Sequence, residues 1–137
     1  RGRKYPFLLV SNHPHFRVHA QHDDVTWFRE IETCKVTGPD GYKYEPVWVH
    51  PTDAGVLGLE TGDIVKLYNE RGAVMGGVRV TERIMPGVVS LPEGACHTPN
   101  AAGEDTNGCV NVLTKLLPTA LAKGNPHHTN LVQVEKA

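Results

Sequence analysis

The chain has 137 residues and 39% hydrophobic content, enough for one domain with a buried core and outside the disordered range. Its 14 Lys plus Arg against 15 Asp plus Glu leave a formal charge of −1, which excludes a broad basic face for nucleic acid or acidic lipid. No apolar run approaches the ~20 residues that cross a bilayer, so neither nucleic acid nor membrane is an expected partner of this segment.

Cys34, Cys96 and Cys109 form no CxxC and no even framework, so reduced thiols are expected. The chain opens on Arg1 rather than Met and carries no signal-peptide pattern. It is expected to be a single domain over residues 1–137, cut from a longer protein, with any targeting signal outside it and the compartment left open.

In chain order, "FLLV" at Phe7 is bounded by Pro6 and the polar Ser11-Asn12 and predicts a short buried strand. A histidine-rich loop follows. Asp24 is placed to cap a short helix over residues 25–31, with Trp27, Phe28 and Ile31 on one face. The turn-rich residues 37–46 predict a loop or hairpin, and "PVWV" a second strand. Pro51 opens a short helix that closes at Gly58. "DIVKLYNE" alternates, with Val65, Leu67 and Asn69 on one side, and Arg71-Gly72 turns it back into "AVMGGVRV" as a hairpin. Gly76-Gly77 marks a bulge or a close backbone approach. "VVSLP" predicts another strand, residues 95–108 a long loop, and "CVNVLT" a further strand. Residues 118–125 suit a helical turn, and "NLVQVEK" is a closing strand. Six or seven short strands with a few short helices make the fold mainly β, a barrel rather than a doubly wound sheet.

The chemistry concentrates in "SNHPHFRVHAQH", which holds four of the eight histidines. His15 and His19 have HxxxH spacing, but Pro14 and Phe16 oppose a helix and HExxH is absent, so side chains of this segment are not expected to hold a metal. Arg17 offers a bidentate fork for phosphate, His13 and His19 further donors, and Asn12 and Gln21 amides that read a ring edge. An anion-binding loop and a merely solvated polar loop both satisfy this composition. No GxSxG, P-loop or GxGxxG occurs, so independent catalysis is not expected. Asp23-Asp24 reads as a helix cap rather than an acid pair, and the cysteines as packing or loop thiols. Asn107, Asn111 and Thr114 surround a turn where Gly103 and Gly108 permit close approach to a ligand, and Asn125, His127 and His128 raise the same possibility.

Taken together, "LLVSNHPHFRVHAQ", "GLETGDIVKLYNERGAVMGGVRVTERIMPGVV", "CVNVLT" and "LAKGNPHHTNLVQVEK" resemble, in that order, the C-terminal domain of dimethyl sulfoxide reductase-type molybdenum and tungsten enzymes. The resemblance runs from about Tyr5 to Lys136. It implies a double-psi β-barrel covering the dinucleotide of molybdopterin guanine dinucleotide, with molybdenum or tungsten held by the cofactor and by other domains. The family pattern S-x-H-P-x-x-R-x-H-S-Q falls on Ser11 to Gln21, which implies cofactor contacts from Asn12, His13, Arg17, His19 and Gln21, while Ala20 lacks the usual hydroxyl. The family's N-x-L-T segment places a pterin contact on Asn111, and its "GN" a further one on Asn125. "GACHTP" departs from the family's "GARYDP" near the substrate funnel. Implied partners are the other domains of a parent catalytic subunit and an iron–sulfur electron-transfer subunit, the segment alone being inactive. Within the family, these segments look most like catalytic subunits of the transhydroxylase and anaerobic dehydrogenase sort. The competing expectations are a free-standing ligand- or protein-binding barrel and a histidine-based metal module.

Overall fold

The computed structural model describes residues 3–137, apart from the side chain of His127. The strands are β1 (Phe7–Val10), the two-residue β2 (Val36–Thr37) and β3 (Lys43–Tyr44), β4 (Pro46–Val49), β5 (Ile64–Asn69), β6 (Gly72–Val80), β7 (Val88–Ser90) and β8 (Asn130–Lys136). Two short helices, α1 (Thr26–Arg29) and α2 (Pro51–Leu57), and two 3-10 turns, Val110–Leu113 and His127–Thr129, complete the chain. Six strands close into a barrel in the order β1-β7-β4-β6-β5-β8, and β2 and β3 form a separate hairpin. The pairs β1/β7 and β4/β6 run parallel among otherwise antiparallel neighbours, giving the double-psi barrel that the family resemblance implies.

Alternation fixes which side chains enter the barrel. Val65 and Leu67 of β5, and Val132 and Val134 of β8, face inward beside Leu9, Val47, Val49, Val74, Val78 and Val89, all at most 1% exposed. Each such side chain contributes ~1.5–3 kcal/mol on burial. Gly76 and Gly77 stay in an unbroken β5–β6 ladder, so they mark close approach and not a bulge. A Cβ at Gly76 would strike the Val47 side chain. Helix α2 forms as its sequence suggests: Pro51 sits in the first turn, His50 Nδ1 accepts from the Thr52 N–H at 3.2 Å, and Gly58 ends it at φ 65°.

Three expectations need correction. Asp24 does not cap α1, whose N-cap is Val25 with no side-chain bond, and Trp27 is 86% exposed instead of packing on an apolar face. "CVNVLT" is a 3-10 turn and not a strand. Gly108 enters it at φ 90°, and the buried Asp105 carboxylate accepts the Gly108 and Cys109 N–H groups at 2.7 Å each, which curls the backbone before it could pair. Residues 118–125 close a single turn, with the Lys123 N–H on the Thr119 carbonyl at 3.1 Å.

Strand direction gathers the loops of interest. β1 and β7 leave the barrel at the end where β8 enters and where the β5–β6 hairpin turns. Residues 11–22, 91–109, and the segment from Val110 to Thr129 therefore crowd one rim.

Candidate functional site

The rim rests on a buried square of charge. Arg17 is only 7% exposed, and Nη2 and Nη1 donate to Glu45 Oε1 at 2.6 Å and Oε2 at 3.1 Å. Nη1 also donates to Asp23 Oδ1 at 3.1 Å, while Nε and Nη2 donate to the Glu93 carbonyl at 3.1 and 2.6 Å. Lys35 Nζ completes the square, 2.6 Å from Glu45 Oε2 and 3.0 Å from Asp23 Oδ1. Two cations and two anions cancel, as burial requires. Burial alone would lower the Arg17 value, but the hydrogen bonds and charge of Glu45, with Asp23, raise it above the ordinary one. Burial would likewise push the Asp23 carboxyl up, yet the Cys96 backbone N–H, Lys35 and the Asn107 amide outweigh it and hold it at about 2.

Arg17 thus spends its fork within the chain, fastening the loop after β1 to the loop after β7 and to Glu45 just before β4. Gly94 reinforces the seam: it sits at φ 92°, and a Cβ there would run into the His19 carbonyl. Asn107 also turns inward, donating to Asp23 Oδ2 and to the Cys96 carbonyl at 2.9 Å each. Gly108 packs on the Glu45 side chain rather than opening toward a ligand. Lys35, Glu45, Asp23 and Glu93 escaped the sequence reading because their partners lie far off in the chain. The only local signal was Glu45 directly before a strand.

Around this square the remaining candidates point outward. His13 and His19 are exposed, and each Nδ1 lies 2.8 Å from Glu93 Oε1. Against this shared carboxylate a ring donates through Nδ1–H, and its tautomer sets what Nε2 offers. Asn12 Oδ1 accepts from the Ser90 hydroxyl at 2.7 Å, which leaves its amide N–H groups facing out. Gln21 stands exposed on the turn closed by its own N–H on the Val18 carbonyl at 3.0 Å. His15 lies on the loop away from the His13–His19 pair, and His22 turns toward Phe28.

Two cavities hold outward candidates, the first of them lined in part by this loop. One of about 670 Å³ is lined by Asn12, His13, Phe16, Trp48, Arg79 and Arg83, and there Arg79 Nε is buried without a hydrogen-bond partner. The other, about 480 Å³, brings Asn111 and Asn125 together with Thr114, Lys115 and Lys123. Between Asn111 and Thr114 in the chain, the Leu113 carbonyl accepts from Asn69 Nδ2 at 3.0 Å and from Arg71 Nε at 2.8 Å. Burial pushes all three thiols up, so none is poised as a thiolate.

The model of the molydopterin dinucleotide binding domain family matches residues 7–131. This chain belongs to that family. It is 43% identical over 135 residues to dimethyl sulfoxide reductase DmsA of Escherichia coli (strain K12), covering 98% of this chain and 15% of that one. It is 40% identical to trimethylamine-N-oxide reductase of Haemophilus influenzae, over 97% of this chain and 16% of that one. The chain therefore spans roughly a sixth of the length of these relatives. Acetylene hydratase from Pelobacter acetylenicus shares the fold, with a TM-score of 0.75 over 99% of this chain and 19% of that one at 14% identity.

The rim suits a dinucleotide. In kind, exposed imidazole, amide and lysine groups match phosphate oxygens and ring edges, and Arg79 Nε is a buried donor with no partner among the described residues in the adjoining cavity.

Proposed function

We propose that this chain holds molybdopterin guanine dinucleotide at the rim where β1, β7 and β8 meet, as the C-terminal part of a molybdenum oxidoreductase. The observation that carries it is the convergence of residues 11–22, Asn111 and Asn125 at one barrel end, with their polar groups turned outward over an internally neutral base. His13 and His19 each donate a ring N–H to the phosphates, Gln21 and Asn12 bind amide edges, and Asn111 and Asn125 hold a pterin ring from the second cavity. Arg17 serves as the positioning residue beneath them. When bound, the pterin's metal supplies the two-electron redox chemistry, and this chain supplies binding and orientation.

The named relatives reduce dimethyl sulfoxide and trimethylamine N-oxide, so an S-oxide or N-oxide is the substrate class we assign to the whole protein. Its partners are the remaining domains of that catalytic subunit and an iron–sulfur electron-transfer subunit. The free-standing barrel finds no support in the dimethyl sulfoxide reductase relatives, of which this segment spans 15–16%.

The test is binding of GDP to the 137-residue chain, read by calorimetry. Gln21→Ala and Asn12→Ala should each weaken it about fivefold, the worth of one hydrogen bond at ~1 kcal/mol. Saturable binding that ignores both variants contradicts the assignment.

A further inference from the structure

His13, His19 and Glu93 have a second capability. HxxxH spacing pointed to His15 and His19, yet the fold sets His13 beside His19, their rings 5.4 Å apart, and brings Glu93 in from the loop after β7. One donor atom from each of the three lies within 4.8 Å of the others. Both imidazole Nδ1 atoms already sit 2.8 Å from a single carboxylate oxygen, Glu93 Oε1. A tetrahedral ion at ~2.0–2.2 Å from each ligand spaces its donors ~3.3 Å apart, so each imidazole–carboxylate distance opens by about half an ångström and the imidazole–imidazole distance, at most 4.8 Å, closes by about 1.5 Å or less.

We propose that these three side chains form a divalent transition-metal site in the cofactor-free chain, taking zinc or nickel. Two imidazoles and a carboxylate suit these ions rather than calcium or magnesium, which favour all-oxygen shells. Glu93 is a partly shielded anion, and its backbone carbonyl is fixed by Arg17 Nε and Nη2, so the carboxylate is held at the seam instead of swinging free. His19, at φ 51° against Gly94, is likewise restrained. Each imidazole coordinates through Nδ1 as the tautomer protonated on Nε2, the form whose Nδ1 lone pair is free for the metal. Three protein ligands leave the remaining coordination positions to water. The site is independent of the cofactor assignment in its ligands. It rests on that assignment in one respect, that ion and dinucleotide draw on the same two histidines and exclude each other.

The experiment is calorimetric titration of the chelator-washed 137-residue chain with zinc chloride and with nickel chloride. One saturable ion per chain is expected. His13→Ala, His19→Ala and Glu93→Gln should each weaken it by at least about tenfold, since losing a ligand costs no less than losing a group that merely orients one. His15→Ala should bind like the parent chain, and circular dichroism checks that each variant is folded. Absence of saturable binding, or affinity unchanged in the three variants, or loss in His15→Ala alone, overturns the site. GDP titration with and without zinc separates the two claims. Zinc binding without GDP binding sinks the cofactor assignment alone, and GDP binding without zinc binding sinks the metal site alone. Binding of both at once refutes the exclusion.

Discussion

Replacing Arg17 by alanine distinguishes a structural cation from a ligand-facing one. In the folded chain its guanidinium meets both oxygens of Glu45, one of Asp23 and the Glu93 carbonyl, and its side chain is 2% exposed. Removal leaves Asp23 and Glu45, themselves 2% and 0% exposed, with Lys35 as the one remaining member of opposite charge in the square. Breaking a buried pair of this kind costs ~3–5 kcal/mol, because the surviving charge stays desolvated. With an unfolding entropy of ~2.1 cal/mol/K per residue, a domain of this size should lose roughly 10–17 °C in Tm. Thermal unfolding followed by far-UV circular dichroism measures it directly. The double variant Arg17→Met, Glu45→Leu removes one charge of each sign, leaves Lys35 with Asp23, and should recover at least half of the loss. A single variant with Tm within about 3 °C of the parent, yet unable to bind GDP, would show that Arg17 faces the ligand and that the reasoning from burial is wrong.

Other outcomes follow from the same rim. Asp23, held at about 2 in the folded chain against an ordinary 3.8, contributes about 2 kcal/mol of stability that is fully present above pH ~4 and lost as pH falls toward 2. Asp23→Asn should flatten that part of an acid-unfolding curve, although it lowers stability at neutral pH. Gly94→Ala should cost at least ~2 kcal/mol in urea unfolding, since a left-handed residue with a Cβ is strained by ~1–2 kcal/mol before the clash with His19 is counted. Asn69→Ala frees the Leu113 and Leu131 carbonyls from their shared amide and should destabilise by ~1–3 kcal/mol. Amide shifts of the Val110–Leu113 turn should move in the same variant; if only β5 responds, Asn69 does not position Asn111.

The barrel was legible because alternation in "DIVKLYNE" and "NLVQVEK" states directly which residues point inward, and because Pro51 and Gly58 bracket α2. The loop carrying the candidate site was legible from its density of histidine and amide. Its supporting square was not, since Asp23 in "QHDDVTW" reads locally as a cap, and the pairing with Lys35 and Glu45 exists only after β2, β3 and β4 fold beneath the loop. Arg17 was conspicuous as a cation, but sequence carries no burial for a single residue in a loop. The 3-10 turn at Val110–Leu113 was missed for a related reason: valines flanking Asn111 imitate a strand, and the Asp105 carboxylate that curls the preceding backbone acts through its own buried position.

Binding at the β1/β7/β8 rim is tested most directly by mapping amide shifts of the labelled chain with molybdopterin guanine dinucleotide. Shifts should concentrate in residues 12–22, 91–97 and 111–126, with residues 51–60 and 84–87 at the opposite end of the barrel unmoved. A response centred on that opposite end, or none at saturating cofactor, would contradict it.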